Sequence, residues 1–216
     1  MKRSKKLLLI AVLFFASGTV FAQGAQFGSI FIAGGAGGFL STHSNFSEVY
    51  KSSFGKDYFG QLGVSMTDNI YLTGKLTYFH KTGVPVFQTI NFINNTTTSS
   101  NGGSADFKEW IINAGMIYNF PLFAGFEASV NGGLFYAIVR EIQNSSDGSP
   151  LFNLSTKSVG LYLGGGMEYH IPIIPVSVFF ETQYNLASQF NQVGSSTDYG
   201  GLNLNIGARF FINTGL

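Results

Sequence analysis

The chain offers few side chains that could do chemistry. It has three histidines, His43, His80 and His170, and no cysteine. The lack of cysteine excludes a disulfide scaffold, a thiolate metal site and a cysteine nucleophile. A Ser–His–acid site needs three groups within hydrogen-bond reach of one another. His170 has Glu168 and Ser177 close in sequence, and His80 is followed by a segment that supplies serines and an aspartate. Neither histidine sits in a recognisable acylhydrolase or acyltransferase motif, and no metal-ligand spacing is present. Ala33 to Gly38 is glycine-rich but lacks the lysine and following helix of a phosphate loop. It reads better as a bent strand, or one packed against a bulky interior side chain. The expectation is a non-enzymatic protein with no catalytic residues, no cofactor and no metal.

Five other charges stand out by their setting: Lys75, Glu127, Glu168, Glu181 and Arg209. Each lies in a stretch that alternates with a period of two, the mark of a β-strand with two unlike faces. The final stretch, Tyr199 to Ile212, shows this best. Leu202, Leu204, Ile206, Ala208, Phe210 and Ile212 share one face; Gly201, Asn203, Asn205, Gly207, Arg209 and Phe211 share the other. Strands in soluble sheets usually run about 5–6 residues, whereas a membrane-crossing strand needs about 9–11.

Seven further stretches repeat the pattern: 29–40, 57–67, 70–81, 106–120, 125–140, 157–170 and 176–187. The connections 67–69, 121–124 and 171–175 are short. Those at 41–56, 82–105, 141–156 and 188–198 are long and polar. In an up-and-down barrel alternate connections share an end, so the long loops gather at one end and the short turns at the other. Outer-membrane barrels have this asymmetry. The expected fold is all-β: an eight-stranded antiparallel up-and-down transmembrane β-barrel. With backbone polar groups unable to meet water in hydrocarbon, the sheet must close. The apolar face must then look out and the polar face in. All five charges fall on the inward face, where they are expected to form an ion network that plugs the bore, the alternative being a pore gated by an exchange of ion pairs. Tyr58, Tyr78, Trp110, Tyr184 and Tyr199 cluster at the loop side, with Tyr71, Tyr118, Phe126, Tyr169 and Phe210 at the turn side. They are read as two interfacial girdles.

Composition agrees. The 216 residues are 11% charged, with 23 Phe, 10 Tyr and 28 Gly, against a typical ~25% charged. Lys2, Arg3, Lys5 and Lys6 precede an apolar run, Leu7 to Phe15, and Val20-Phe21-Ala22 suits a cleavage site. Residues 1–22 read as a signal peptide and 23–216 as the barrel domain. Cleavage leaves eight Lys and Arg against eleven Asp and Glu. Such an acidic, exported chain gives no support to nucleic-acid binding.

These features resemble the small bacterial outer-membrane β-barrel proteins of the OmpA-transmembrane and OmpX type. The resemblance covers the chain from Gln23 to Leu216. It implies residence in the outer membrane of a Gram-negative bacterium, with periplasmic termini. Leu202, Leu204, Ile206, Gly207, Phe210 and Ile212 look like the terminal signal read by the barrel-assembly machinery, although Asn213 to Leu216 follow instead of a terminal aromatic. Partners would be outer-membrane lipid, that machinery during biogenesis, and other outer-membrane proteins. Three roles remain open: a structural or interaction protein, including an accessory subunit of a larger complex; a narrow channel for small or apolar solutes; and a lipid-modifying enzyme. For the first, Gly60, Gly74, Ala114, Gly132 and Gly165 on the lipid face would let another barrel approach closely.

Overall fold

A computed structural model describes residues 29–42, 46–91, 96–188 and 200–213. Residues 1–22, read as a signal peptide, His43, Tyr199 and nearly all of the 188–198 loop lie outside the described residues. Among the described residues there are ten strands: β1 (Ile30–Ser41), β2 (Phe54–Thr67), β3 (Ile70–Gly83), β4 (Val86–Asn91), β5 (Thr96–Asn101), β6 (Ser104–Phe123), β7 (Phe126–Asn144), β8 (Pro150–His170), β9 (Val176–Ser188) and β10 (Gly201–Ile212). A short helix, α1 (Phe46–Tyr50), sits between β1 and β2. Eight strands close into one antiparallel barrel in the order β1-β10-β9-β8-β7-β6-β3-β2, while β4 and β5 pair separately.

Closure is carried by the two terminal strands. β1 pairs with β10 from Ile30↔Ile212 to Ser41↔Gly201, without a register shift. The alternation then sorts side chains by face. Leu134, Leu161, Leu163 and Ile206 are among the most exposed apolar residues on the outside, and Leu163 is 68% exposed. A wall this apolar has no stable place in water and matches a hydrocarbon surround.

Four boundaries differ from the expectation. Within 41–56, expected as a polar loop, α1 forms and β2 already starts at Phe54. The 82–105 segment is not an unstructured loop, because the β4–β5 hairpin forms within it. The 141–156 segment is mostly strand: β7 runs to Asn144 and β8 starts at Pro150, leaving 145–149 as the tip, with Gly148 at φ 82. Backbone pairing continues because Gln143 still finds Phe152 opposite, whatever the polarity of the local sequence. The turn after β6 lies at Ala124–Gly125, with φ 47 and 80, and not at 121–124. Two positive φ values match a tight hairpin turn, and Pro121 is accommodated by a register irregularity at the strand end.

Candidate functional site

Buried polar and charged groups of the described residues converge in the bore, which is built in three layers. An eight-stranded barrel is just wide enough for side chains to fill it. The middle layer is polar. Lys75 on β3 pairs with Glu181 on β9, both buried. Asn131 donates to Glu181 at 3.0 Å. A directed chain of hydrogen bonds also leaves the ammonium. Lys75 donates to Gln183 (3.3 Å), Gln183 to Asn185 (2.7 Å), Asn185 to Asn203 (2.8 Å) and Asn203 to Asp57 (2.6 Å). Every donor points from the cation towards the carboxylate, so each bond polarises the next.

The turn-end layer holds the second buried ion pair. Arg209 on β10 donates to Glu168 on β8, and Ser177 donates to the same carboxylate. The guanidinium lies 4.3 Å from the Phe179 ring centre and 4.9 Å from that of Phe31. A delocalised cation over aromatic faces tolerates this dry setting better than an ammonium would. Beside it, Glu127 accepts from Asn119 at 2.9 Å and stands 3.3 Å from His170.

The loop-end layer is apolar. Phe39, Phe79, Phe107, Ile111, Phe135, Ala137, Val139 and Tyr162 form one buried cluster. Helix α1 closes it from above. Phe46 stacks on Tyr50 with ring centres 4.4 Å apart and meets Phe107 edge-on at 4.9 Å. Tyr50 donates to Glu141 at 2.8 Å, and Val84 N–H donates to the Val49 carbonyl at 3.1 Å. Together these bonds pin α1 over the mouth.

Glycines make room for the inward rings. Phe31 faces Gly63 across β1 and β2, and a Cβ on that glycine would lie 2.1 Å from the ring. Phe59 lies over Gly35, Phe135 over Gly160 and Phe179 over Gly207 in the same way. Within the glycine-rich run Ala33–Gly38, Gly35 is the floor for the interior Phe59 ring, the second of the two readings of that run.

The five charges singled out from the sequence all point inward, but they form two separate ion pairs plus a Glu127–His170 contact. The inward face is also less polar than expected, since aromatic rings fill both ends of the bore. Tyr71, assigned to the turn-side girdle, is buried inside the barrel against Phe31. Sequence reading passed over Asp57, Glu109 and Glu141, which also point inward and are buried. Glu109 and Asp57 occupy inward registers near the loop-side ends of their strands, so period-two counting could have found them. Of the terminal-signal residues, Leu204, Ile206, Phe210 and Ile212 face outward. Gly207 faces inward between Phe59 and Phe179.

The two histidines lie apart. His80 is outward on β3, 2.5 Å from Asp106. At the turn end His170 stands opposite Ser177, but the Ser177 hydroxyl donates to Glu168 and not to the imidazole. The order Ser–His–acid is absent there. Ligand atoms of Glu127, Glu168 and His170 lie within 4.8 Å of one another, a grouping no sequence spacing announced. Arg209 already neutralises Glu168, and the guanidinium beside the trio opposes a second cation.

No protein-family model and no curated relative matches the chain. Solved structures do. OprG from Pseudomonas aeruginosa superposes with a TM-score of 0.59 at 11% identity, over 89% of this chain and 99% of that one. Neisserial surface protein A gives 0.53 at 16% identity, over 84% and 96%. The N-terminal β-barrel domain of Pseudomonas aeruginosa OprF gives 0.51 at 15%, over 87% and 99%. At such identities the likeness speaks for architecture. The chain has the fold of the small eight-stranded outer-membrane β-barrels of the OmpA and OmpX type.

Proposed function

We propose that the chain is a non-conducting, non-enzymatic outer-membrane barrel that acts as a structural or interaction protein. The observation that carries this reading is the filled bore. An aromatic layer beneath α1 occupies the loop end, and a polar layer locked by Lys75–Glu181 lies below it. Water and solutes have no continuous polar path through such a stack. The Ser177–Glu168 hydrogen bond, which leaves His170 without a serine to activate, supports the non-enzymatic part. Export by the signal peptide, a periplasmic turn end with both termini, and assembly through the β10 signal complete the reading.

Interaction then falls to the outer surfaces. β6, β7 and β8 run 20, 19 and 21 residues, about twice what a crossing needs. Their loop ends stand beyond the girdle as a three-stranded wall. In the lipid-facing zone Gly60 has open space where a Cβ would be, and Gly34 lies opposite it. A neighbouring barrel can approach closely there, as an accessory-subunit role requires. Planar-bilayer recording of the purified barrel, paired with pull-down from native membranes in mild detergent, tests the reading. No unitary steps and a retained outer-membrane partner are expected. Regular steps from the wild-type protein would replace it with the narrow-channel reading.

A further inference from the structure

The outward wall carries its charges in one band. Tracing outward registers strand by strand through the described residues gives Lys56 on β2, His80 on β3, Asp106 and Lys108 on β6, Arg140 on β7 and Lys157 on β8. No other outward wall position among those residues is charged. Each of these strands has an outward apolar or aromatic residue two positions nearer the bilayer centre: Tyr58, Tyr78, Trp110, Ile138 and Val159. The band thus sits just past the loop-side girdle, at headgroup depth. In barrel order β2, β3, β6, β7 and β8 are consecutive, so the basic residues form one continuous arc.

The arc holds a pair of like charges in direct opposition. Lys108 and Arg140 are that pair, across β6 and β7, and the His80 imidazole stands opposite Lys108 across β3 and β6. Facing side chains start from Cβ atoms about 4.5–5.5 Å apart, and like charges there are destabilising. One carboxylate lies within the arc. Asp106 binds Lys108 at 2.6 Å and His80 at 2.5 Å. Asp106 stands diagonal to Arg140 but is paired with Lys108 and His80, and neither Arg140 nor Lys157 forms an ion pair among the described residues. The inward wall has the opposite bias: Asp57, Glu109, Glu127, Glu141, Glu168 and Glu181 all point into the bore.

We infer that this arc is a binding site for phosphate-bearing lipid headgroups in the leaflet at the loop end. Lys108 and Arg140, side by side, can grip one phosphate. Lys157, diagonally next to Arg140, can reach a second group on the same headgroup or its neighbour. The strands β9, β10 and β1 carry no outward charge among the described residues, so the site covers one side of the barrel. The inference rests on the barrel's placement in a bilayer, which heat-modifiable gel mobility tests separately.

Trp110, the single tryptophan of the chain, lies in β6 directly below Lys108 and reports on the site without a label. The full-length barrel is folded into phosphatidylcholine vesicles mixed with either brominated diphosphorylated lipid A or brominated phosphatidylglycerol. Quenching of Trp110 then measures which lipid collects beside it. Enrichment of an anionic lipid over phosphatidylcholine, falling about fivefold for each basic residue removed in K108Q, R140Q and K157Q, is expected at low salt. D106N, which removes the lone acid, is expected to raise the enrichment. Stronger enrichment of lipid A assigns the site to a phosphorylated glycolipid, and equal enrichment assigns it to anionic phospholipid in general. No enrichment, or enrichment unchanged in a triple variant that still shows the folded gel mobility, overturns the inference.

Discussion

The loop-end half of the bore and its middle are filled by opposite means. At the loop end, rings of Phe39, Phe79, Phe107 and Phe135 pack with Phe46 and Tyr50 of α1. In the middle, one ion pair and a run of amides share the same width of barrel. The aromatic layer is held by shape, and its fit depends on glycines opposite the rings. The middle layer is held by charge and direction, so each member depends on its partner being present. A layer held by shape weakens in proportion to the volume removed. A layer held by charge fails when a single group is left alone.

Substitutions should separate the two regimes. Urea unfolding of the refolded barrel, followed by gel mobility, reads each of them. The largest effect is expected from Glu181→Ala, which strands the Lys75 ammonium in the bore and costs about 3–5 kcal/mol. The paired change K75M/E181L, which removes both charges, is expected to leave stability near wild type or above it. A double variant as unstable as Glu181→Ala would show that the amide chain, and not the ion pair, sets the cost. Phe135→Ala follows, at about 3 kcal/mol or more, through the void left over Gly160. Gly63→Ala is expected to cost about 1–3 kcal/mol, because its Cβ would press on the Phe31 ring. Tyr50→Phe should be smallest, about 1 kcal/mol, since Glu141 keeps its bond from Gln143. If Tyr50→Phe instead opened measurable conductance, the α1 lid would be held by that one hydrogen bond more than by its stacked rings.

The comparison also explains what could be read in advance. Period-two alternation assigned Lys75, Glu127, Glu168, Glu181 and Arg209 to the inward face because alternation reports faces directly. It says nothing about height along the bore. Height depends on strand tilt and stagger, which arise only on closure. For that reason one expected network resolved into two pairs, Lys75–Glu181 and Arg209–Glu168, in different layers. Asp57 and Glu109 were passed over because they sit near strand ends, where polarity is easily taken for loop character. Tyr71 was misassigned for the reverse reason. An aromatic near a strand end suits a girdle, but its parity, shared with Thr73 and Lys75, places it inside.

The amino-acid sequence by itself determined the eight barrel strands, their two faces and the sorting of short turns from long connections, but not the β4–β5 hairpin. Those follow from local rules: a pleat with a period of two, and backbone groups that hydrocarbon will not solvate. Only the tertiary structure decided which inward residues meet. It placed Phe31 over Gly63, drew Lys75 to Glu181 across the bore, and folded α1 onto Phe107. The Lys75–Glu181 contact joins strands far apart in the chain, and all three lie at heights set by how the sheet closes. Pairing of β2, β3, β6, β7 and β8 also brought Lys56, Lys108, Arg140 and Lys157 onto one side of the barrel, although sequence order keeps them apart.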